Sequence, residues 1–220
     1  MRVVKIPLAQ ALAATVYLCV SASTATAVNP GMCSYYRDTA LSENNRNKQL
    51  RCRPPSPRWS DNIASHAGWC SGARLESVAN EAVARLQELN SCNHAAMCEQ
   101  YADNADRASQ RNGALRCGYG GARYTSTHDG HRNWCLGARQ ESVDAEVRAR
   151  YDDLDRCTMC DQYASEAIRL NQLRITRRCR LEGPRWSSER AGHFGWCMSA
   201  NLSSVVAEQN ARAREAVDCR

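Results

Sequence analysis

The chain has 220 residues, 24% of them charged and 43% apolar or aromatic, with a formal net charge of +6. A mean hydropathy of −0.58 excludes a polytopic membrane protein, and beyond the first segment no apolar run approaches the roughly 20 residues that span a bilayer. With 13 Cys, 5 Trp, 8 Tyr and a single Phe, much of the apolar count is Ala and Cys. That argues against one large core and assigns part of the stability to cross-links.

The first segment reads as an export signal over residues 1–27. Arg2 and Lys5 precede a mostly apolar stretch from Ile6 to Val20, and Ala25-Thr26-Ala27 is a small-x-small cleavage pattern, so the mature chain is expected to begin at Val28. Cys19 follows Leu18, where lipidation would need a small residue, and is read as part of the discarded peptide. Without Arg2 and Lys5, 27 basic residues face 23 acidic ones, too mild and dispersed an excess to point to nucleic acid or an anionic membrane.

The remaining cysteines stand at 33, 52, 70 and 92, at 98, 117, 135 and 157, and at 160, 179, 197 and 219. Separations of 19, 18 and 22 recur without deviation in each set, which is the mark of a tandem repeat. The units are residues 28–92, 98–157 and 160–220, joined by Asn93-His94-Ala95-Ala96-Met97 and by Thr158-Met159. Behind an export signal, an even number of cysteines reads as a disulfide framework. Cys157-Thr158-Met159-Cys160 has zinc-like spacing but straddles a unit boundary and has no counterpart at Cys92 and Cys98. Neither a metal site nor a cofactor is expected.

Within each unit two helices are expected. Cys98, Tyr101, Ala102, Ala105 and Ala108 recur at helical spacing, as do Cys160, Tyr163, Ala164, Ala167 and Ile168. After the third cysteine, Val78, Glu81, Arg85, Leu89 and Cys92 mark one face of another helix, matched by Val143, Glu146, Arg150, Leu154 and Cys157. The stretch between holds Arg53-Pro54-Pro55-Ser56-Pro57 and cannot be helical throughout. The expected fold is all-α, three tandem disulfide-stapled αα-hairpins. Antiparallel helices would pair first with fourth cysteine and second with third: Cys33–Cys92 and Cys52–Cys70, Cys98–Cys157 and Cys117–Cys135, Cys160–Cys219 and Cys179–Cys197. The two-residue linker is expected to fix units 2 and 3 together and the longer one to leave the first junction looser.

The loop repeats Arg, an aromatic, Ser or Thr, and then His-x-x-Trp-Cys. The copies are Arg58-Trp59 with His66 and Trp69, Arg123-Tyr124 with His131 and Trp134, and Arg185-Trp186 with His193 and Trp196. Together with Cys-x-x-Tyr at the head of each unit, this resembles an uncharacterised family of secreted, cysteine-rich tandem repeats in bacterial proteins. The resemblance covers essentially the whole mature chain and implies no activity, ligand or catalytic residue.

Trp and Tyr faces suit stacking on sugar rings, and Arg and His supply directional hydrogen bonds. Arg58, Trp59, His66, Arg123, Tyr124, His131, Arg185, Trp186 and His193 are therefore the ligand-binding candidates. Trp69, Trp134 and Trp196, each beside a cysteine, read as the miniature core, and the three histidines as fixed loop hydrogen bonds. Glu81–Arg85, Glu146–Arg150 and Glu208–Arg212 are four apart in the favourable order on a helix. Tyr36, Tyr101, Tyr163 or the loop arginines could complete their networks.

The function expected is a secreted or periplasmic non-enzymatic binding module for a cell-envelope glycan, with no catalytic residue. One alternative is an inhibitor or partner of a secreted enzyme. Another is a hydrolase using Glu and His, weakened because an enzyme seldom carries three copies of one site and no pair of carboxylates is seen to recur for glycoside hydrolysis.

Overall fold

A computed structural model describes residues 27–219. Of the export signal read over residues 1–27, all but Ala27 lies outside the described residues. The fold is all-α, and the described residues contain no strand, only an isolated bridge between Ala27 and Arg74. None of their helices is long and apolar enough to cross a membrane.

Unit 1 consists of α1 (Met32–Leu50), α2 (Ile63–Gly72) and α3 (Leu75–Asn90). Unit 2 has α4 (His94–Leu115), the single turn α5 (Ala122–Thr125) and α6 (His128–Gly137). Its last helix is the first half of α7 (Gln140–Thr176), whose second half opens unit 3. A 3-10 turn at Pro184–Trp186, α8 (Arg190–Ser199) and α9 (Leu202–Asp218) complete the chain.

The connecting segment of each hairpin thus contains a helix of its own, and this corrects the disulfide pairing. The bridges are Cys33–Cys70 and Cys52–Cys92, Cys98–Cys135 and Cys117–Cys157, Cys160–Cys197 and Cys179–Cys219. First pairs with third and second with fourth, in place of Cys33–Cys92 with Cys52–Cys70, Cys98–Cys157 with Cys117–Cys135, and Cys160–Cys219 with Cys179–Cys197. The reason is direction. The middle helix runs back along the first, so its terminal cysteine arrives beside the cysteine that opens the unit. The third helix then runs parallel to the first, and both end at bridged cysteines. A non-glycine residue in the left-handed region closes the first helix of every unit: Arg51, Arg116 and Arg178, at φ 50°, 56° and 58°. Arg51 and Arg116 donate their backbone N–H back to carbonyls of the last turn, and each is followed by the second cysteine of its unit.

The first junction differs from expectation, and the second is fixed as expected, by a continuous helix. Asn93 accepts from the Ala96 N–H and caps α4, which restarts the helix and turns the chain back on α3. Units 1 and 2 therefore pack face to face and share one core, containing Met32, Tyr36, Leu86, Met97, Tyr101, Val143 and Leu154. Thr158 and Met159 offer no such break, since the Thr158 hydroxyl donates to the Leu154 carbonyl inside an unbroken helix. Unit 3 is carried away along α7 with two small cores, around Cys160, Tyr163, Cys197 and Val205 and around Leu170, Trp186 and Ala216. The chain has one double core and a satellite, rather than three equal cores.

The segment before α1 straps the units. The Val28 N–H donates to the Ala73 carbonyl, the Asn29 N–H to Asp155 Oδ1 (2.7 Å) and the Asn29 amide to Gln162 Oε1 (3.0 Å). Arg111 Nη2 donates to the Gly31 carbonyl at 2.5 Å.

Candidate functional site

The repeated loop converges on the third helix of its unit. Gly121 (φ 75°) and Gly183 (φ 95°), at equivalent positions, set the tight turn before the Arg-aromatic pair of units 2 and 3. In every unit the loop arginine then forks onto a glutamate. Arg58 Nε and Nη2 donate to Glu81 at 2.7 and 2.8 Å, Arg123 to Glu146 at 2.8 and 3.2 Å, and Arg185 to Glu208 at 2.7 and 2.8 Å. The remaining Nη1 reaches a second carboxylate, Glu88, Asp153 (2.8 Å) or Glu215. Burial would raise Glu88 and Glu208, but hydrogen bonds and the nearby guanidinium charges outweigh it and hold both below their ordinary values. These planar, charge-assisted forks fix the loop on the helix.

Behind each fork lies a buried arginine of the same helix. Arg85, Arg150 and Arg212 stand 3.6, 3.6 and 3.4 Å from Glu81, Glu146 and Glu208. The Arg85 guanidinium lies over the Trp59 ring (5.3 Å), that of Arg150 over Tyr101 (4.9 Å) and that of Arg212 over Tyr163 (5.3 Å). Several of their N–H groups find no oxygen or nitrogen acceptor, and the π faces are what these cations meet instead.

The two aromatic positions of the loop exchange the roles expected of them. Trp59, Tyr124 and Trp186 are buried. The indole N–H of Trp59 donates to Glu88 (2.7 Å), that of Trp186 to Glu215 (3.1 Å), and the Tyr124 hydroxyl to Asp153 (3.2 Å). They have no free face to offer a sugar. Trp69, Trp134 and Trp196, expected in the core, are 44%, 43% and 40% exposed. Each packs its inner face on the tyrosine of Cys-x-x-Tyr, with centroids 5.2 Å (Tyr36), 5.4 Å (Tyr101) and 5.4 Å (Tyr163) apart. The cysteine next to each tryptophan, bridged to the first cysteine of its unit, is the buried neighbour instead.

The histidines are buried as well. His66 Nε2 meets the Ser60 carbonyl at 2.9 Å and His193 Nε2 the Ser187 carbonyl at 3.0 Å, the fixed loop bond expected. His131 Nε2 makes no such bond. Burial, seconded by the charge of Arg150, lowers its pKa. His94 meets Asn90 Oδ1 at the surface, and His128 meets Asp103.

What remains open is a cleft beside the exposed tryptophan. In unit 3 it measures about 640 Å³ and is bordered by Tyr163, Arg185, His193, Trp196, Glu208 and Glu215. In unit 2 a cleft of about 610 Å³ is bordered by the equivalent Tyr101, Arg123, His131, Trp134, Glu146 and Asp153. One wall is an aromatic face and the other a row of forked charges. Of the nine expected contact residues, only Arg58, Arg123 and Arg185 keep about a third of their side chains exposed. A carboxylate pair thus recurs in every unit, Glu81 with Glu88, Glu146 with Asp153 and Glu208 with Glu215, which corrects the expectation that none does. Glu88, Asp153 and Glu215 occupy one repeat position, three residues beyond the buried arginine and on the same helical face.

No family model, no curated protein and no solved structure matches the chain. The six disulfides among the described residues are those of a protein that folds where thiols oxidise.

Proposed function

We propose that the chain is a secreted or periplasmic binding protein without catalytic activity, and that each unit binds a sugar of a cell-envelope glycan. One observation carries the reading: in units 2 and 3 an exposed tryptophan, packed at a tilt on a buried tyrosine, stands beside a cleft walled by ion-paired Arg, Glu and Asp groups, and unit 1 repeats the tryptophan, the tyrosine and the arginine fork. A sugar ring presents C–H groups that suit an indole face and hydroxyls that both accept from guanidinium and donate to carboxylate. The ion-pair forks and disulfides hold these groups in place before the ligand arrives, which lowers the ordering cost of binding. Three weak sites on one chain add avidity for a polymer.

The residues that carry the contact are Trp69, Trp134 and Trp196 with the edges of Arg58, Arg123 and Arg185, in place of the buried aromatics. Pull-down on insoluble peptidoglycan and a glycan array, with Trp69, Trp134 and Trp196 changed to Ala, test this. Retention of the wild-type chain and at least tenfold weaker retention of the triple variant are expected. No binding to any glycan, or binding indifferent to the triple change, would count against the reading.

A further inference from the structure

Units 1 and 2 meet through the same face of each. Asn90 Nδ2 donates to Gln140 Oε1 at 2.6 Å, Gln87 Nε2 to Asp144 Oδ2 at 2.6 Å, and Arg148 Nε to Asn80 Oδ1 at 2.9 Å. Unit 2 repeats unit 1 with an offset of 65 residues, so Gln140, Asp144 and Arg148 are the counterparts of Leu75, Ala79 and Val83. The first two contacts therefore join one end of the face to the other end of its copy and the third joins residues beside its middle, so the centre falls at Ala82 and its counterpart Val147. This is the pattern of a two-fold, self-complementary interface, here made within one chain. Tyr35 against Tyr151 (5.3 Å) and Gln100 donating to Ser42 (3.1 Å) flank it.

Three units leave one such face over. Unit 3 follows unit 2 with an offset of 62, which puts the corresponding residues on α9 at Leu202, Val206, Gln209, Ala213 and Val217. All five are exposed, Leu202 by 39%, Val206 by 44% and Val217 by 72%. Their steps of four, three, four and four form one stripe along the helix. Beside it runs a groove of about 510 Å³ against α7, bordered by Met159, Gln162 and Arg169.

The stripe can face its own copy. In the register of units 1 and 2, Leu202 of one chain falls opposite Val217 of another, Val206 opposite the aliphatic stem of Arg214 and Ala207 opposite Asn210. Gln209 meets its own twin at the axis, where two carboxamides can each donate and accept. At the flank, where Gln100 bonds Ser42 between units 1 and 2, Gln162 meets the cationic Arg169. We propose that a second copy of this chain docks on α9 in the two-fold geometry that units 1 and 2 already use, giving a dimer of six units.

Sedimentation velocity and light scattering of the disulfide-bonded chain test this. Twice the monomer mass is expected, with dissociation at least tenfold easier in Val206→Arg, which sets a second cation against Arg214 of the other copy, and unchanged in Leu136→Glu, an exposed apolar site on α6. Gln209→Cys should cross-link two chains on oxidation. Should Val206→Arg alter the far-ultraviolet dichroism, Val217→Arg at the helix end replaces it. A chain that stays monomeric at every concentration overturns the proposal, as does a dimer indifferent to both α9 substitutions or one dissolved equally by Leu136→Glu.

Discussion

In units 1 and 3 an indole N–H reaches the second carboxylate of the arginine fork, from Trp59 to Glu88 and from Trp186 to Glu215. In unit 2 both partners change together: a phenol replaces the indole and Asp153 the glutamate. The phenol oxygen lies farther from the backbone than the indole nitrogen, and aspartate is one methylene shorter, so the hydrogen bond survives. Tyr119 stacks on Tyr124 with centroids 5.5 Å apart and occupies room the larger indole would take. Trp186→Tyr alone should cost unit 3 about 1–3 kcal/mol, because it places a hydroxyl against the carboxylate and thins the core. Adding Glu215→Asp should return part of it, a coupling of about 0.5–1 kcal/mol by double-mutant cycle. Additive losses in denaturant unfolding would refute the exchange.

Among the elements, the two junctions differ in what a proline would do. His94 is the first helical residue of α4, where an N–H has no partner within the helix and proline fits. Thr158 lies in the middle of α7, and its hydroxyl already bonds the Leu154 carbonyl toward which a proline ring would press. His94→Pro should shift stability by less than about 0.5 kcal/mol and Thr158→Pro should cost about 3 kcal/mol or more. Equal losses in guanidinium titrations would show that α7 is not one helix. The same contrast shows how much of the elements was legible. The helices around Cys98, Val78 and Val143 follow from apolar periodicity, whereas the cap at Asn93 that folds α4 back on α3 is not marked by it. The short helices α2, α6 and α8 could not be read so, because each buries only one histidine and one bridged cysteine, too little to make an amphipathic stripe. With the middle helix unseen, its direction and hence the disulfide pairing could not follow.

For the whole molecule, a double core and a satellite imply two unfolding transitions, one for units 1 and 2 and one for unit 3. Glu43 makes the first of these sensitive to pH. It is fully buried at the contact of α1 with α4, accepts from Asn104 Nδ2 at 2.8 Å, and lies 3.8 Å from Arg85 Nε. Burial, only partly offset by Arg85 and Asn104, raises its pKa from the ordinary 4.5 to about 7. The fold therefore holds a proton that the unfolded chain releases above pH 4.5. Stability from this group is complete below that pH and is lost as pH rises through 7, on the order of 3 kcal/mol. Calorimetry from pH 4 to 8 should show the transition of units 1 and 2 falling in temperature while that of unit 3, which carries Leu170 at the equivalent position, does not follow it. Glu43→Gln should flatten the first trend. A single transition, or a trend untouched by Glu43→Gln, would contradict this arrangement.

The sequence by itself determined the all-helical class, the threefold repeat, the cysteine framework and the Arg-Glu partners, because each is written in spacing along one chain. Only the tertiary structure decided which cysteines meet, which units share a core and which loop aromatic faces solvent. Those outcomes depend on the direction in which one short helix returns and on whether a junction interrupts the helix before it. Type and spacing constrain neither: an indole beside a cysteine suits a core as well as a surface until its neighbours have taken the space.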